Sequence, residues 1–200
     1  MTKDFFAPKA GSYEQDSNRV DNVDSIAKAI VNAVRLDKTM HIMDFGSGTG
    51  LLLERVSPYV GKVTAVDISG AMNAQLRLKT EKLDCELEVI EMDLERESMP
   101  RMFDGIISSM TLHHIRDIDA LFRTFYAMLT TGGFMAISDL DTEDGSFHTE
   151  DTGVHHCGFE RDDLAQAAVR AGFTKVEVSN ASVVKKPQGE YPVFLLTAFR

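Results

Sequence analysis

The sequence predicts an α/β fold: a Rossmann-like, doubly wound sheet of seven strands that is mostly parallel and ends in a C-terminal antiparallel hairpin. Short β-rich runs alternate with amphipathic helical runs through most of the chain, which is the pattern of repeated βα units. A glycine-rich turn follows the first β-rich run, where open sheets of this kind bind ligands. The last two β-rich runs have no helical pattern between them and therefore predict the hairpin.

The first predicted element is a helix over about residues 22–36, because Ile26, Ile30 and Val34 recur at helical spacing. A later helix is expected after Ser69, a residue type that commonly caps a helix start. The parallel strands are predicted at His41–Phe45, Lys62–Asp67, 86–92, Phe103–Ser109 and 134–138, with further helices after Leu51 and over 118–129 and a turn at 131–133.

The last third of the chain is predicted to differ from the repeated βα units. Residues 141–158 are polar and contain glycine, so they indicate an inserted loop. A helix over 164–171 should end at Gly172. The runs 173–184 and 191–199 predict the hairpin, and the apolar final run suits either a dimer edge or a central strand.

The length of 200 residues fits one domain, 1–200, with an N-terminal lid and helix in residues 1–36 and the inserted loop near the substrate. No apolar run approaches the ~18 residues of a membrane span, and the N-terminus lacks a signal-peptide core. Two cysteines are too few for a disulfide framework. A cytoplasmic location without a membrane partner is therefore expected.

The charge of the chain bears on its partners. The formal net charge is −10, and the sequence pI is about 5.0. Such a surface repels a phosphate backbone unless a local basic strip overrides it. A nucleic-acid substrate is therefore disfavoured, and no nucleic-acid partner is expected.

Residues 44–50, Asp-Phe-Gly-Ser-Gly-Thr-Gly, form the most informative motif. Glycines at a strand-to-helix turn let the backbone bend sharply and let a ligand approach without a Cβ in the way. Asp67 ends the next predicted strand 21 residues after Gly46, where an acidic side chain can accept hydrogen bonds from ribose hydroxyls. The combination predicts a site for an adenosine-containing cofactor, although a glycine turn alone could be a tight connection.

The spacing of the motif distinguishes between cofactors. A dinucleotide fingerprint is Gly-x-Gly-x-x-Gly, whereas here the third glycine, Gly50, comes one residue early. An anionic Asp44 is poorly placed against a pyrophosphate, which is also negatively charged. It suits a cationic amino-acid ligand. Two alternatives stay open: a non-catalytic domain that binds the same cofactor, and an NAD-type oxidoreductase.

With these motifs the chain resembles the class I S-adenosylmethionine-dependent methyltransferases, in particular the small-molecule branch that includes the ubiquinone-biosynthesis type. The resemblance covers nearly the whole chain: residues 44–50 match the first motif, 103–109 the fourth-strand motif and 129–133 the turn into the fifth strand. Nucleic-acid amino methyltransferases carry Pro-Pro-aromatic after the fourth strand, and this chain does not. The resemblance therefore implies a small-molecule acceptor, with S-adenosylhomocysteine as the second product.

The resemblance also implies which residues bind the cofactor. Asp67 would hold the ribose, Asp93 the adenine amino group and Leu94 the neighbouring backbone contact. Tyr13 resembles the aromatic residue of the N-terminal lid, and Arg19 would follow it to the methionine carboxylate. The predicted cofactor-binding residues are Tyr13, Arg19, Asp44, Gly46, Ser47, Gly48, Gly50, Asp67, Ile68, Met72, Asp93, Leu94 and Ser109.

Histidines supply the candidates for a general base, which is needed only if the acceptor loses a proton. His113 and His114 follow the fourth strand, at the edge where open sheets bind ligands, and His155 and His156 lie in the inserted loop with His148. Each could instead be a hydrogen-bonded structural histidine. No metal site is expected, because the paired close spacing of a zinc site is absent. The acceptor atom is left open, as is the choice between a monomer and a homodimer.

Overall fold

Seven strands form one sheet in the order β3-β2-β1-β4-β5-β7-β6 in the computed structural model, which describes residues 4–200. Strands β1 to β5 are parallel to one another where they pair, and β7 pairs antiparallel with both β5 and β6. The predicted fold class is therefore confirmed. The strands are β1 His41–Phe45, β2 Lys62–Asp67, β3 Glu86–Glu91, β4 Phe103–Ser109, β5 Leu129–Leu140, β6 Thr174–Lys186 and β7 Gly189–Phe199.

Helices cover both faces of this sheet, as a doubly wound fold requires. The α-helices are α1 Ser17–Ala33, α2 Leu51–Val56, α3 Gly70–Arg77, α4 Ile118–Met128 and α5 Arg161–Ala171. Short 3₁₀ helices occupy Ala7–Gln15, Ser57–Tyr59, Thr80–Lys82 and Leu112–His114. Residues 1–3 of the predicted lid lie outside the described residues.

Two hydrophobic clusters hold the helices to the sheet. On one face, Ile26 and Ile30 of α1 pack with Leu53 of α2, and all three side chains are fully buried. On the other face, Phe122 and Phe125 of α4 are fully buried in the second cluster. Truncating either phenylalanine to alanine would cost about 3–5 kcal/mol, so this packing keeps the strand ends in fixed positions.

Helix α1 begins at Ser17 and ends at Ala33, whereas the hydrophobic spacing predicted residues 22–36. The Asp16 side chain caps the helix by accepting hydrogen bonds from the backbone N–H groups of Asn18 and Arg19. The first turn is polar and faces solvent, so it carries no apolar periodicity. A capping interaction, rather than the apolar stripe, therefore sets the start of the helix.

The turn predicted at residues 131–133 lies within β5 as an irregularity of the strand. Leu129 pairs with Phe103, and Phe134 then pairs with Gly105, so several residues of β5 bulge out between the two rungs. Gly132 has a φ of +81°, and its N–H donates to the carbonyl of Arg200 at the end of the chain. The glycines therefore bend the strand without ending it.

The C-terminal hairpin is confirmed, and β7 lies between β5 and β6. A position inside the sheet explains the apolar final strand, which the sequence left open between a dimer edge and a central strand. In the described chain, residues 141–158 form no helix or strand beyond a single bridge between Asp141 and Phe159. No helix within residues 4–200 is long and apolar enough to cross a membrane.

Candidate active site

The glycine-rich turn joins β1 to α2 at the carboxyl edge of the sheet. Gly46 has a φ of +67°, and a Cβ there would lie 2.2 Å from the Thr111 side chain, so packing excludes any larger residue. Gly48 also has a positive φ, +54°, but among the described residues nothing lies within 4 Å of the position of its Cβ. The first glycine is needed for contact with the chain after β4, and the second leaves open space beside the turn.

Asp67, at the end of β2, fixes the shape of this turn. Its Oδ2 accepts a hydrogen bond from the Gly48 N–H at 2.8 Å, and its Oδ1 accepts one from the Ser69 N–H at 2.8 Å. Burial raises the pKa of Asp67, and the two backbone hydrogen bonds oppose that rise. Ser69 in turn caps α3 by accepting from the Met72 N–H, which confirms the predicted cap. The carboxylate is therefore held directly beside the open space at Gly48.

Asp44, within β1, is a buried carboxylate without compensation. Its Oδ2 has no hydrogen-bond partner in the described chain. Burial, with repulsion from Asp67 as a second cause, raises the pKa of Asp44 well above its ordinary value. Buried hydroxyls around the same turn also lack partners among residues 4–200, and they belong to Ser47, Thr49 and Ser109. Polar groups buried in this way are normally satisfied by a ligand or by water.

These groups fit the cofactor that the sequence resemblance implies. An ammonium group beside Asp44 would supply the missing partner of Oδ2 and favour the ionised carboxylate. Each oxygen of Asp67 has a second lone pair, which can accept from a ribose hydroxyl. The open space at Gly48 lets a ligand approach the turn beside Asp67. The donor set thus matches a molecule with a cationic amino group and a ribose, as S-adenosylmethionine has.

The remaining predicted cofactor residues of the sheet lie near the same edge. Ile68 follows β2 and is 58% exposed, and Met72 is buried in α3. Asp93 and Leu94 follow β3; Leu94 is buried in the second hydrophobic cluster, and Asp93 Oδ1 accepts from the Glu95 N–H. The structure brings these residues to the edge that carries the glycine-rich turn, and their individual contacts to a cofactor stay predictions.

The connection after β4 contains a strained residue. Met110 has a φ of +56°, a conformation that costs a side chain other than glycine about 1–3 kcal/mol. Its N–H donates to the carbonyl of Ser138 in β5, which holds the bend. The bend presents Thr111 to Gly46 and leaves the buried Ser109 hydroxyl at the turn. Sequence reasoning identified Ser109 but not Thr111, because the contact joins residues from separate strands.

Residues 4–16 precede α1 and belong to the region, 1–36, for which the sequence predicts an N-terminal lid and helix. Tyr13 is partly buried, and burial raises the pKa of its hydroxyl, to which the charge of the nearby Asp67 adds. The Arg19 guanidinium lies 4.0 Å from the centroid of the Tyr13 ring and also donates to the Tyr13 carbonyl. The structure therefore brings both predicted lid residues to the cofactor edge. In this arrangement Arg19 also pairs with Asp16 at 3.5 Å.

The segment before α1 contacts both the start of α3 and the inserted loop. On the cofactor side, Asp4 Oδ2 accepts from the Ser69 hydroxyl at 2.8 Å. On the loop side, Lys9 forms an ion pair with Glu150 at 2.5 Å, and the Phe6 ring meets His114 edge-on at 5.3 Å. The inserted loop and the lid therefore close over the carboxyl edge together.

The most buried titratable pair of the site joins His113 to Asp139, at the end of β5. The two side chains are 2% and 0% exposed, and His113 Nδ1 lies 2.7 Å from Asp139 Oδ1. The His113 N–H also donates to Asp139 Oδ2 at 3.2 Å. Although burial alone would raise the pKa of Asp139, the charge and hydrogen bonds of His113 hold it below its ordinary value. Sequence reasoning missed Asp139, although an acidic residue at a strand end of this edge was the available signal.

Two further imidazoles surround His113. The His114 ring lies 4.2 Å from it and the His148 ring 5.0 Å, between ring centroids. Burial and the neighbouring His113 lower the pKa of both rings to about 4, so His114 and His148 are neutral near pH 7. Within residues 4–200 no group of three or more His, Cys, Asp or Glu side chains could hold a metal ion. The cluster is therefore a set of neutral imidazoles around one hydrogen-bonded histidine.

His155 and His156 contact His113 through the backbone, because both N–H groups donate to its carbonyl. The His156 Nε2 lies 2.8 Å from the carbonyl oxygen of Ile115, and the His155 side chain is exposed. These contacts attach the inserted loop to the segment after β4. The imidazoles of His155 and His156 do not join the cluster around His113, and a catalytic role for them stays a prediction.

Comparison with known proteins places this chain in a family. The sequence pattern of a methyltransferase domain family matches residues 20–178. An uncharacterized methyltransferase of Schizosaccharomyces pombe is 28% identical over 193 residues, which is 88% of this chain and 66% of that protein. A ubiquinone biosynthesis O-methyltransferase of Nitrobacter winogradskyi is 30% identical over 108 residues, 54% of this chain and 41% of that protein.

A similar fold is found in an S-adenosylmethionine-dependent methyltransferase of Mesorhizobium loti, with a TM-score of 0.70, 21% identity and coverage of 89% of this chain and 100% of that one. The chain belongs to the methyltransferase domain family, which confirms the class I resemblance and S-adenosylmethionine as the expected cofactor. The family assignment favours this interpretation over the oxidoreductase alternative. The chain spans less than two thirds of the length of the curated relatives it matches.

Replacing Asp44 with asparagine separates its role in binding from its cost in folding. We expect the Asp44→Asn variant to bind S-adenosylhomocysteine about tenfold or more weakly, because a charge-assisted hydrogen bond is lost. Calorimetric titration measures this change. Affinity within about twofold of the wild type would remove Asp44 from the ammonium site.

The same variant should not lose stability without a ligand. The raised pKa means that folded Asp44 holds its proton above the ordinary pKa of 3.8, where the unfolded carboxyl has lost it. Stability from this group is therefore present at low pH and falls as pH rises toward the raised pKa. Thermal unfolding of both proteins over a pH series should show a smaller loss in Asp44→Asn than in the wild type, because the raised pKa of Asp67 remains in both.

Gly48→Val tests the open space at the turn. We expect binding of S-adenosylhomocysteine to weaken about tenfold or more, because the side chain would enter that space. Gly132→Val is a matched control: its φ is +81° and its Cβ also meets nothing within 4 Å among the described residues, but it lies at the start of β5. Both variants should lose about 1–2 kcal/mol of stability from the left-handed backbone. Equal binding by both variants would show that the turn is only structural.

Proposed function

We propose that the protein transfers the methyl group of S-adenosylmethionine to a small-molecule acceptor. The family assignment and the unpartnered groups around Asp44 and Gly48 support the cofactor. The small size of the acceptor is supported by the cover over the site, in which the lid is joined to the inserted loop by Lys9 and Glu150. A net charge of −10 argues against a nucleic-acid acceptor.

Methyl transfer requires the protein mainly to align the methyl donor with the acceptor. When bound, S-adenosylmethionine supplies a methyl group on a positively charged sulfur, which is already an activated donor. The chain orients the two reactants and excludes water, and such positioning can lower a barrier by about 7–11 kcal/mol. The glycine-rich turn, the lid and the inserted loop perform these two tasks at one edge of the sheet.

The observation that carries the proposal further is the hydrogen bond between His113 and Asp139. Because Asp139 is kept ionised, it accepts from His113 Nδ1–H, and Nε2 is then the basic nitrogen of the ring. We therefore assign His113 as the base that takes the proton of a hydroxyl or amine acceptor. Asp139 is a positioning residue, since it holds the tautomer and orientation of that base.

The acceptor class is tested with S-adenosylmethionine that carries a labelled methyl group. Purified protein is incubated separately with a metabolite extract, total RNA and a protein extract, and the label is counted in each fraction. We expect transfer to the metabolite fraction only, because the segment before α1 and the inserted loop contact each other over the site and leave little room for a polymer. Label in RNA or protein would contradict the small-molecule proposal. Binding of S-adenosylhomocysteine without transfer to any fraction would indicate a non-catalytic domain.

With an acceptor in hand, His113→Gln should lower kcat by about 10²–10⁴-fold, the usual contribution of a general base. Affinity for S-adenosylhomocysteine should stay within about twofold, which also shows that the variant is folded. Asp139→Asn should lower kcat as well and change its pH profile, because the amide can fix the wrong tautomer of His113. Unchanged kcat in His113→Gln would show that the histidine shapes the loop and does not accept a proton.

A further inference from the structure

The C-terminal hairpin extends beyond the sheet at the edge that carries the site. β5 ends at Leu140, which pairs with Val193 of β7. The hairpin continues for four more rungs, from the pair Val183 and Pro192 to the pair Lys186 and Gly189. At ~3.3 Å per residue this overhang is about 13 Å long. Because β6 and β5 are both antiparallel to β7, the overhang lies at the carboxyl edge.

The overhang contacts the inserted loop next to the imidazole cluster. The Lys186 ammonium donates to the Phe147 carbonyl at 2.6 Å and lies 3.5 Å from the centroid of the Phe147 ring. The Tyr191 hydroxyl lies 2.6 Å from the Ser146 hydroxyl. His148 follows directly in the loop, and its ring lies 4.8 Å from that of Phe147. Hairpin and loop thus form one wall of the covered site.

Lys186 is a partly buried cation without a carboxylate partner among residues 4–200. The charged groups that act on it are Asp16, Arg19, Glu143 and Lys9. Both carboxylates in this set have other partners: Asp16 caps α1 and pairs with Arg19, and Glu143 accepts from the Phe147 N–H. Burial lowers the pKa of Lys186, which shows that its charge is poorly compensated.

His148 provides the second unsatisfied group. Its Nε2 is buried and has no hydrogen-bond partner in the described part of the chain, while Nδ1 lies 3.3 Å from the Thr152 hydroxyl. When Nδ1 accepts from that hydroxyl, Nε2 carries the proton and can donate. The titratable groups around the ring are His113, His114, Asp139, Lys9 and Lys186. Lys9 is paired with Glu150 and Asp139 with His113, so Lys186 is the cation near this ring that has no carboxylate partner among residues 4–200.

We propose that the acceptor carries an anionic group, a carboxylate or a phosphate, which binds to Lys186 Nζ and His148 Nε2. Both side chains lie against the Phe147 ring, with Lys186 Nζ 3.5 Å and the His148 ring 4.8 Å from its centroid, and this places the two donors on the same stretch of the inserted loop. The His113 ring lies 5.0 Å from that of His148, so an anion bound there lies close to the proposed base. This inference rests on the proposed function, because it names the class of acceptor for the same site.

The test uses simple anions as probes, because they are small enough to enter a site of any shape. Protein saturated with S-adenosylhomocysteine is titrated with acetate or inorganic phosphate at constant ionic strength, and the imidazole resonances of His148 are followed by NMR. His148→Gln assigns those resonances. We expect a saturable shift with either anion, and the tighter of the two identifies the group as carboxylate or phosphate. Acetamide has the shape of acetate without its charge and should leave the resonances unchanged.

The lysine is tested with a matched pair of variants. Lys186→Met should weaken the anion at least about tenfold, whereas Lys185→Met removes the same charge from an exposed lysine paired with Glu190 and should change it less than about twofold. Phosphate binding should also raise the pKa of His148 from about 4. A structural role of Lys186 in holding the loop would not produce this rise.

The outcomes separate the two proposals. Equal shifts with acetate and acetamide, equal binding by both lysine variants, or no shift with either anion would overturn the anion site. Calorimetric binding of S-adenosylhomocysteine to the same samples is measured independently. If that ligand fails to bind the folded wild type, the proposed function itself fails, whatever the anions do.

Discussion

The common direction of β1, β2, β4 and β5 is the constraint on which the rest of this site depends. Because their carboxyl ends meet at one edge, Asp67 and the glycine-rich turn come within 2.8 Å of each other although they end different strands. The same constraint places Asp139 beside His113, which follows β4. Both of these contacts join residues at the ends of different strands.

Two buried carboxylates of the site, Asp139 and Asp44, differ in their hydrogen-bond partners and in the direction of their pKa shifts. Asp139 accepts three hydrogen bonds, two from His113 and one from the Leu140 N–H, and its pKa lies below the ordinary value. Asp44 has no such partner and is next to Asp67, so its pKa lies above the ordinary value. One carboxylate is satisfied within the chain, whereas Oδ2 of the other has no hydrogen-bond partner among residues 4–200. Opposite pKa shifts in the same cleft are typical of a site that binds one ligand and orients another group for chemistry.

The cover of the site comes from three segments that are far apart in sequence. The lid, the inserted loop and the overhanging hairpin contact one another at Lys9 with Glu150 and at Lys186 with Phe147. Each of these contacts is a charged or polar one at a partly exposed position, and such contacts contribute little stability singly. Access to the covered edge can therefore change without disturbing the buried sheet.

The sequence alone determined the class of the fold, the strands of the parallel sheet and the location of the cofactor turn. These features follow from local patterns: β-rich runs, helical periodicity and glycines before a helix, all of which are written in consecutive residues. Cofactor candidates such as Asp44 and Asp67 were found because they occupy set places in that pattern. The start of α1 was predicted too late, because Asp16 sets it by a cap that carries no periodicity.

Only the tertiary structure decided which histidine has a carboxylate partner, which buried atoms lack one, and what forms the wall of the site. Asp139 lies 26 residues from His113, and Lys186 lies 39 residues from Phe147, so no local pattern relates them. Hydrogen bonding and desolvation depend on distances between such residues, and those distances exist only after the sheet has brought the strand ends together. The sequence pattern assigns residues to helices and strands, whereas the packing of those elements determines which residues contact each other.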